Sequence, residues 1–230
     1  MKISVVVPVY NEVNTIEEII SRVQAVNVGL EKEIIIVDDN STDGTRERLT
    51  NMTREKKNVK VFCHDRNLGK GAALRTGFEF AARDITIIQD ADLEYDPEEY
   101  PNLLKTILDD KADVVYGSRF LRKTYKTFPF WHYAGNKFLT ALFNFFNNRD
   151  LTDMETCYKV FKKEILRSIT LKSNRFAFEP EFSTKVARKG FRICEVPIKY
   201  NKRSYSEGKK FNWKDRIIAF FAVFRFQLSD

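Results

Sequence analysis

Asp90, Asp92 and Glu94 stand at alternating positions in the run Gln89-Asp90-Ala91-Asp92-Leu93-Glu94. The run follows Asp84-Ile85-Thr86-Ile87-Ile88, which is β-branched and apolar and reads as a buried parallel strand. Unpaired carboxylates are costly in a core, so packing gives no reason for three of them there. On an extended strand end, residues two apart point the same way, and the three carboxylates would converge on one cation. Hard oxygen donors suit Mg²⁺ or Mn²⁺, and Mg²⁺ usually shares its shell with substrate phosphates. The competing reading is a solvated acidic loop, because a lone Asp-x-Asp is a frequent accidental match.

The elements that would position this run recur along the chain. Ile3 to Val9 reads as a first buried strand, with Pro8 near its C-terminal end. Ile16, Ile19, Ile20 and Val23 then recur at helical spacing. Glu33 to Val37 is a second strand ending in Asp38-Asp39-Asn40-Ser41, and Asn58 to Phe62 a third. Asn67-Leu68-Gly69-Lys70-Gly71 opens a helix. It lacks the spacing of a Walker A loop, which leaves two readings: close strand-to-helix packing, or a phosphate cradle around Lys70. Asp96-Pro97 starts another helix, and Asp113 to Gly117 is a fifth strand. This alternation predicts an α/β fold, a mostly parallel sheet with helices on both faces. Ligands bind such sheets beyond the carboxyl ends of the strands. Pro8 to Glu12, Asp38 to Ser41 and Asp90 to Glu94 all fall there, and their convergence argues more than any one of them.

The second half changes character. Tyr125 to Asn148 is rich in Phe and helical after Tyr133; it reads either as a core helix or as a face for a lipidic partner. A helix is expected within Arg175 to Lys189, carrying Glu179 and Glu181, and a late strand over Phe191 to Ile198. Arg203 to Lys210 is a basic loop, and Asn212 to Phe226 a closing helix that could lie at a bilayer interface. The expected organisation is one domain over 1–210 and a C-terminal amphipathic helix over 211–230.

The chain has 230 residues with 39 Lys+Arg against 32 Asp+Glu, a net charge of +7. That balance favours a phosphate-rich ligand or an anionic membrane surface, and no motif singles out nucleic acid. Cys63, Cys157 and Cys194 are widely spaced, which argues against a zinc or disulfide framework and for a reducing, cytosolic setting. No apolar run approaches the roughly 20 residues of a membrane span, and the N-terminus lacks a signal peptide's pattern. Peripheral association with the cytoplasmic face of a membrane is the expectation.

Val7-Pro8-Val9-Tyr10-Asn11-Glu12, Val37 to Thr45 and Gln89 to Glu94 together resemble family 2 glycosyltransferases. Tyr116-Gly117-Ser118-Arg119-Phe120 and Asp153 to Lys159 are similar to the branch that glycosylates polyprenyl phosphates, including dolichyl-phosphate mannosyltransferases. The resemblance runs from Ile3 to about Trp213. It implies a GT-A fold, a nucleotide-sugar donor of the GDP-mannose or UDP-glucose type, Mg²⁺ or Mn²⁺, and inversion at the anomeric carbon. It implies that Pro8, Tyr10 and Glu12 line the nucleotide pocket and that Asp39, with Val37 beside it, meets the base or ribose. Asp90, Ala91 and Asp92 would face the metal and diphosphate, with Glu94 as third ligand; Asp92 and Arg119 would carry catalysis. Arg119 would sit near the donor and acceptor phosphates, and Arg203 and Lys209 in a loop closing over the diphosphate.

A dolichyl or undecaprenyl phosphate acceptor is already ionised and needs no base. A hydroxyl acceptor on a glycan, protein or small molecule would need one, and Glu179 or Glu181 are the candidates. Many relatives carry C-terminal membrane spans that this chain, ending at Asp230, lacks, which admits a separate membrane-spanning partner subunit. The Gln-x-x-Arg-Trp motif of processive relatives is absent, which argues for a single transfer.

Overall fold

A computed structural model describes residues 1–54, 56, 58–122, 130–203 and 213–228. Seven strands form one sheet: β1 (Lys2–Val9), β2 (Glu31–Asp38), β3 (Val59–Cys63), β4 (Ile85–Ile88), β5 (Val114–Ser118), β6 (Lys159–Lys162) and β7 (Ile193–Pro197). Their spatial order is β3-β2-β1-β4-β6-β5-β7. The helices are α1 (Ile16–Ala25), α2 (Thr45–Thr53), α3 (Lys70–Phe80), α4 (Tyr100–Leu108), α5 (Phe130–Asn147), α6 (Lys163–Ser168), α7 (Phe178–Arg188) and α8 (Trp213–Leu228).

Alternation along the strands builds two core layers. Val5, Val7 and Val9 of β1 pack with Ile16, Ile19, Ile20 and Val23 of α1 and with Leu103, Leu104 and Ile107 of α4. Val6 turns to the other face, with Leu74 and Phe78 of α3 and Phe178, Phe182 and Val186 of α7. Gly77 is required by this second layer, since a Cβ there would meet Val6 Cγ1 at 2.4 Å. The sheet has helices on both faces, as the alternation of elements predicts.

One strand departs from expectation. β6 runs antiparallel to both β4 and β5, pairing Ile87 with Val160 and Val115 with Val160 across its two edges. The remaining pairs are parallel. The N-terminal end of β6 therefore lies beside the carboxyl ends of β4 and β5.

The aromatic second half serves both core and surface. Leu139 and Phe143 of α5 and Val223 of α8 are buried in the second layer. Phe138 stacks on Phe220 at 6.1 Å and Phe146 meets Phe224 edge-on at 5.5 Å, joining α5 to α8. On the outside, Phe145 is 81% exposed and Phe221 64%, with Phe138, Phe146 and Ile218 also exposed. Among the described residues, no helix is long and apolar enough to cross a membrane.

Candidate active site

A cavity of about 410 Å³ opens along the strand ends. Pro8 near the end of β1, Tyr10 and Glu12 after it, and Asp39 after β2 form one wall. The loops behind this wall are cross-tied: the Asn11 amide donates to Ser41 Oγ, and the Thr42 amide donates to Asn11 Oδ1, both at 2.8 Å. Val37 is not part of the wall. It is fully buried within β2 and packs in the second core layer, because the strand's alternation turns it inward.

Asp39 lines the cavity but is also a structural acceptor. It takes the Leu68 amide at 2.8 Å and the Gly69 amide at 2.7 Å, and His64 Nδ1 lies 2.7 Å from it. The glycines that follow are explained by packing. A Cβ on Gly69 would stand 2.5 Å from Asn174 O, and one on Gly71 2.5 Å from Ser173 O. The Ala72 amide donates to Asn174 O at 2.9 Å. Lys70, held between them, lines the cavity with its ammonium 2.7 Å from Asp90 and 3.5 Å from Glu179.

The acidic run leaves the strand earlier than its alternation suggests. β4 ends at Ile88, and Leu93 adopts a left-handed conformation (φ 63°), so Asp90 to Glu94 form a turn. Buried Gln89 fixes that turn by donating to Asp90 O at 3.0 Å and Tyr95 O at 3.1 Å. Its own carbonyl oxygen accepts the Tyr100 hydroxyl at 2.9 Å, with the Tyr158 hydroxyl 3.1 Å away. The expected triad does not assemble. Among the described residues, no group of three carboxylate, histidine or cysteine side chains is placed to hold a metal ion. Glu94 accepts the Tyr200 hydroxyl at 2.5 Å and the Arg203 amide at 2.8 Å, and so anchors the segment after β7.

Asp90, Ala91, Asp92 and Glu94 all line the cavity, with Glu94 committed to Tyr200 and the Arg203 amide. Burial, then Asp90, Glu94 and Glu12, push the Asp92 carboxyl up to about 7. Crowded carboxylates whose repulsion is unrelieved at Asp92 fit a divalent cation. Asp90 and Asp92 are the donors available to it.

Arg119, following β5, lies on the far side. Its Nε and Nη2 each donate to Asp153 at 2.7 Å, and Tyr200 lies under its guanidinium at 5.4 Å. Arg203 Nη1 reaches back to Glu12 at 2.7 Å, so the segment after β7 straps across the crevice. Lys209 lies outside the described residues.

The two candidate bases separate. Glu179 is in the cavity wall beside Lys70 and Cys157. Glu181 accepts the amides of Lys172 and Ser173 and pairs with Lys185 at 2.8 Å, so it is structural. Sequence reasoning missed Glu155, Arg175, Phe176, Asn136 and Tyr200, which also line the cavity. For Glu155 a signal existed, a charged residue within an otherwise uncharged Met154 to Tyr158 stretch.

A model of glycosyl transferase family 2 matches residues 4–170. The dolichol-phosphate mannosyltransferase of Pyrococcus furiosus is 30% identical over 212 residues, 91% of this chain and 59% of that one. The undecaprenyl-phosphate 4-deoxy-4-formamido-L-arabinose transferase of Edwardsiella ictaluri is 29% identical over 210 residues, 90% of this chain and 62% of its own. The chain thus spans 59% and 62% of the length of these relatives. Among solved structures, glucosyl-3-phosphoglycerate synthase from Mycobacterium tuberculosis, in complex with Mn²⁺, uridine diphosphate and phosphoglyceric acid, superposes with a TM-score of 0.74. It is 21% identical, and the match covers 98% of this chain and 78% of that one.

Proposed function

The chain belongs to glycosyl transferase family 2, and on that premise we propose that it transfers one hexose, with inversion, from a nucleotide-diphosphate sugar to a polyprenyl phosphate. The observation that carries this reading is the order of groups across the sheet. Asp39 and the Pro8 to Glu12 segment stand at β2 and β1, paired carboxylates follow β4, and an arginine follows β5. A nucleotide sugar laid along that order puts its base at Asp39, its diphosphate at Asp90 and Asp92, and its anomeric carbon toward Arg119.

Asp90 and Asp92 would hold Mg²⁺ or Mn²⁺, which neutralises the departing diphosphate. Arg203 adds fixed positive charge at the same end, held there by Glu12. The acceptor phosphate oxygen attacks the anomeric carbon as the bond to the nucleoside diphosphate breaks. That oxygen is already anionic, so no proton has to move. Arg119 orients the acceptor phosphate. A hydroxyl acceptor would call on Glu179, which of Glu179 and Glu181 is the one in the cavity wall.

A lipid acceptor agrees with the exposed aromatic ridge of α5 and α8, which would rest in the interface of an anionic membrane. The names of the two relatives point the same way. Incubation with GDP-mannose, UDP-glucose and related donors, Mn²⁺ and a polyprenyl phosphate, read by mass spectrometry, is expected to yield a lipid-linked hexose. Transfer to a soluble hydroxyl acceptor and none to lipid phosphate would overturn the reading.

A further inference from the structure

Glu155 lines the cavity, yet its Oε1 is sealed from solvent and makes no hydrogen bond among the described residues. An incompletely bonded buried carboxyl calls for a physical reason. Around it the hydrogen bonding is otherwise dense. The Thr152 and Asp153 amides donate to Glu195 at 2.6 and 2.9 Å. The Met154 amide donates to Thr140 Oγ1 at 3.2 Å, and Thr156 Oγ1 to Gly117 O at 2.6 Å. Buried Lys159 donates to the carbonyls of Met154 and Thr156, the residues on either side of Glu155. The loop is thus fixed from β5, β6, β7 and α5, while Glu155, which it brings to the cavity wall together with Cys157, keeps an oxygen unbonded. Fixed backbone with an unsatisfied side chain is the arrangement expected of a group that waits for a ligand.

The position of Glu155 says which part of a ligand it meets. It precedes β6, the strand next to β4 on the side away from β1 and β2. Resting on the proposed donor orientation, a ligand with its base at β1 and β2 and its diphosphate at Asp90 and Asp92 has only its sugar left to lie over β6. A hexose brings hydroxyls there. Burial and Glu179 push the Glu155 carboxyl up to about 8, which keeps it protonated near neutrality, so it can donate as well as accept.

We propose that Glu155 is a specificity-determining residue that hydrogen-bonds a hydroxyl of the transferred hexose. A site built around a hydroxyl discriminates against a ligand lacking it because its own polar group is then left unpaired.

The test is calorimetric binding with Mn²⁺ of two probes, the nucleoside diphosphate and the corresponding nucleotide sugar, to wild type, E155A, E155D and E155Q. E155D keeps the carboxyl but withdraws it from the sugar, and E155Q keeps the reach without an ionisable group. The expected result is unchanged nucleoside diphosphate affinity throughout. Nucleotide-sugar affinity should fall about tenfold in E155A and E155D and within about threefold of wild type in E155Q. Should E155A fail to fold, the E155D and E155Q pair decides the matter. A wild type that gains affinity from the sugar while E155D gains as much overturns this assignment alone. A wild type that binds both probes equally overturns the hexose site of the proposed function along with it. Equal loss of both probes in E155D would place Glu155 in the structural frame and also overturn the assignment.

Discussion

Arg119 and Asp153 form a two-pronged pair, with Nε and Nη2 each 2.7 Å from a carboxylate oxygen and the Asp153 side chain fully buried. The same carboxylate also accepts the Arg119 amide at 3.0 Å, which fixes the residue at both ends. D153N should destabilise the fold by about 3–5 kcal/mol, the usual cost of breaking a buried pair. R119K should also lose activity, because an ammonium cannot make two parallel bonds. Urea denaturation and turnover on the two variants check this. A D153N protein as stable as wild type would refute the pairing's structural weight.

Asp92→Asn should abolish transfer without lowering the melting temperature. The carboxylates of Asp90, Glu94 and Glu12 crowd Asp92, so removing its charge relieves repulsion while removing a donor of the proposed metal site. Turnover of wild type at the same rate in EDTA as in Mn²⁺ would end the metal role.

Asp39→Ala should cost stability as well as nucleotide affinity. The substitution strands the Leu68 and Gly69 amides, and about 1–3 kcal/mol is expected for a buried donor left unbonded. A denaturation midpoint equal to wild type, with nucleotide affinity lost, would assign Asp39 to the ligand alone.

The F145S and F221S pair should weaken flotation with anionic liposomes and leave the fold intact, since both rings stand largely in solvent. Unchanged flotation would remove the α5 and α8 ridge from the membrane claim.

Glu155 sets a pH dependence. Its folded-state value is raised from 4.5 to about 8, so between those values the folded protein holds a proton that the unfolded chain has released. Stability from this group is therefore present at the acid end of the window and lost as pH rises through it. E155Q lacks that loss. Its melting temperature relative to wild type should climb between pH 5 and pH 8.5, and a constant difference across that range would contradict the shift.

The strands of the first half were legible because β-branched runs such as Ile34-Ile35-Ile36-Val37 admit little else. The crevice was legible because polar residues follow those runs. β6 was not: it is four residues with Lys at both ends, Lys159-Val160-Phe161-Lys162, too short for a period to emerge. The acidic turn was misjudged because nothing in Leu93 announces a left-handed backbone. The pairing of Glu94 with Tyr200 spans 106 residues and is set by tertiary packing, beyond any local pattern.

The reversed direction of β6 has a consequence for substitution. The loops carrying Tyr10, Glu12, Asp39, Asp90 and Asp92 leave the sheet from strand C-termini, whereas residues 151–158 enter it ahead of a strand N-terminus. Glu195, Gly117 and Thr140 hold this segment's backbone and Thr156, while Asp153 and Tyr158 toward its two ends reach Arg119 and Gln89. Under the proposed function, substitution at Glu155 can therefore alter the sugar contact while Asp153 and Tyr158 keep Arg119 and the acidic turn in place. The sugar contact and the nucleoside contacts of that proposal enter the crevice from oppositely directed elements because one strand runs the other way.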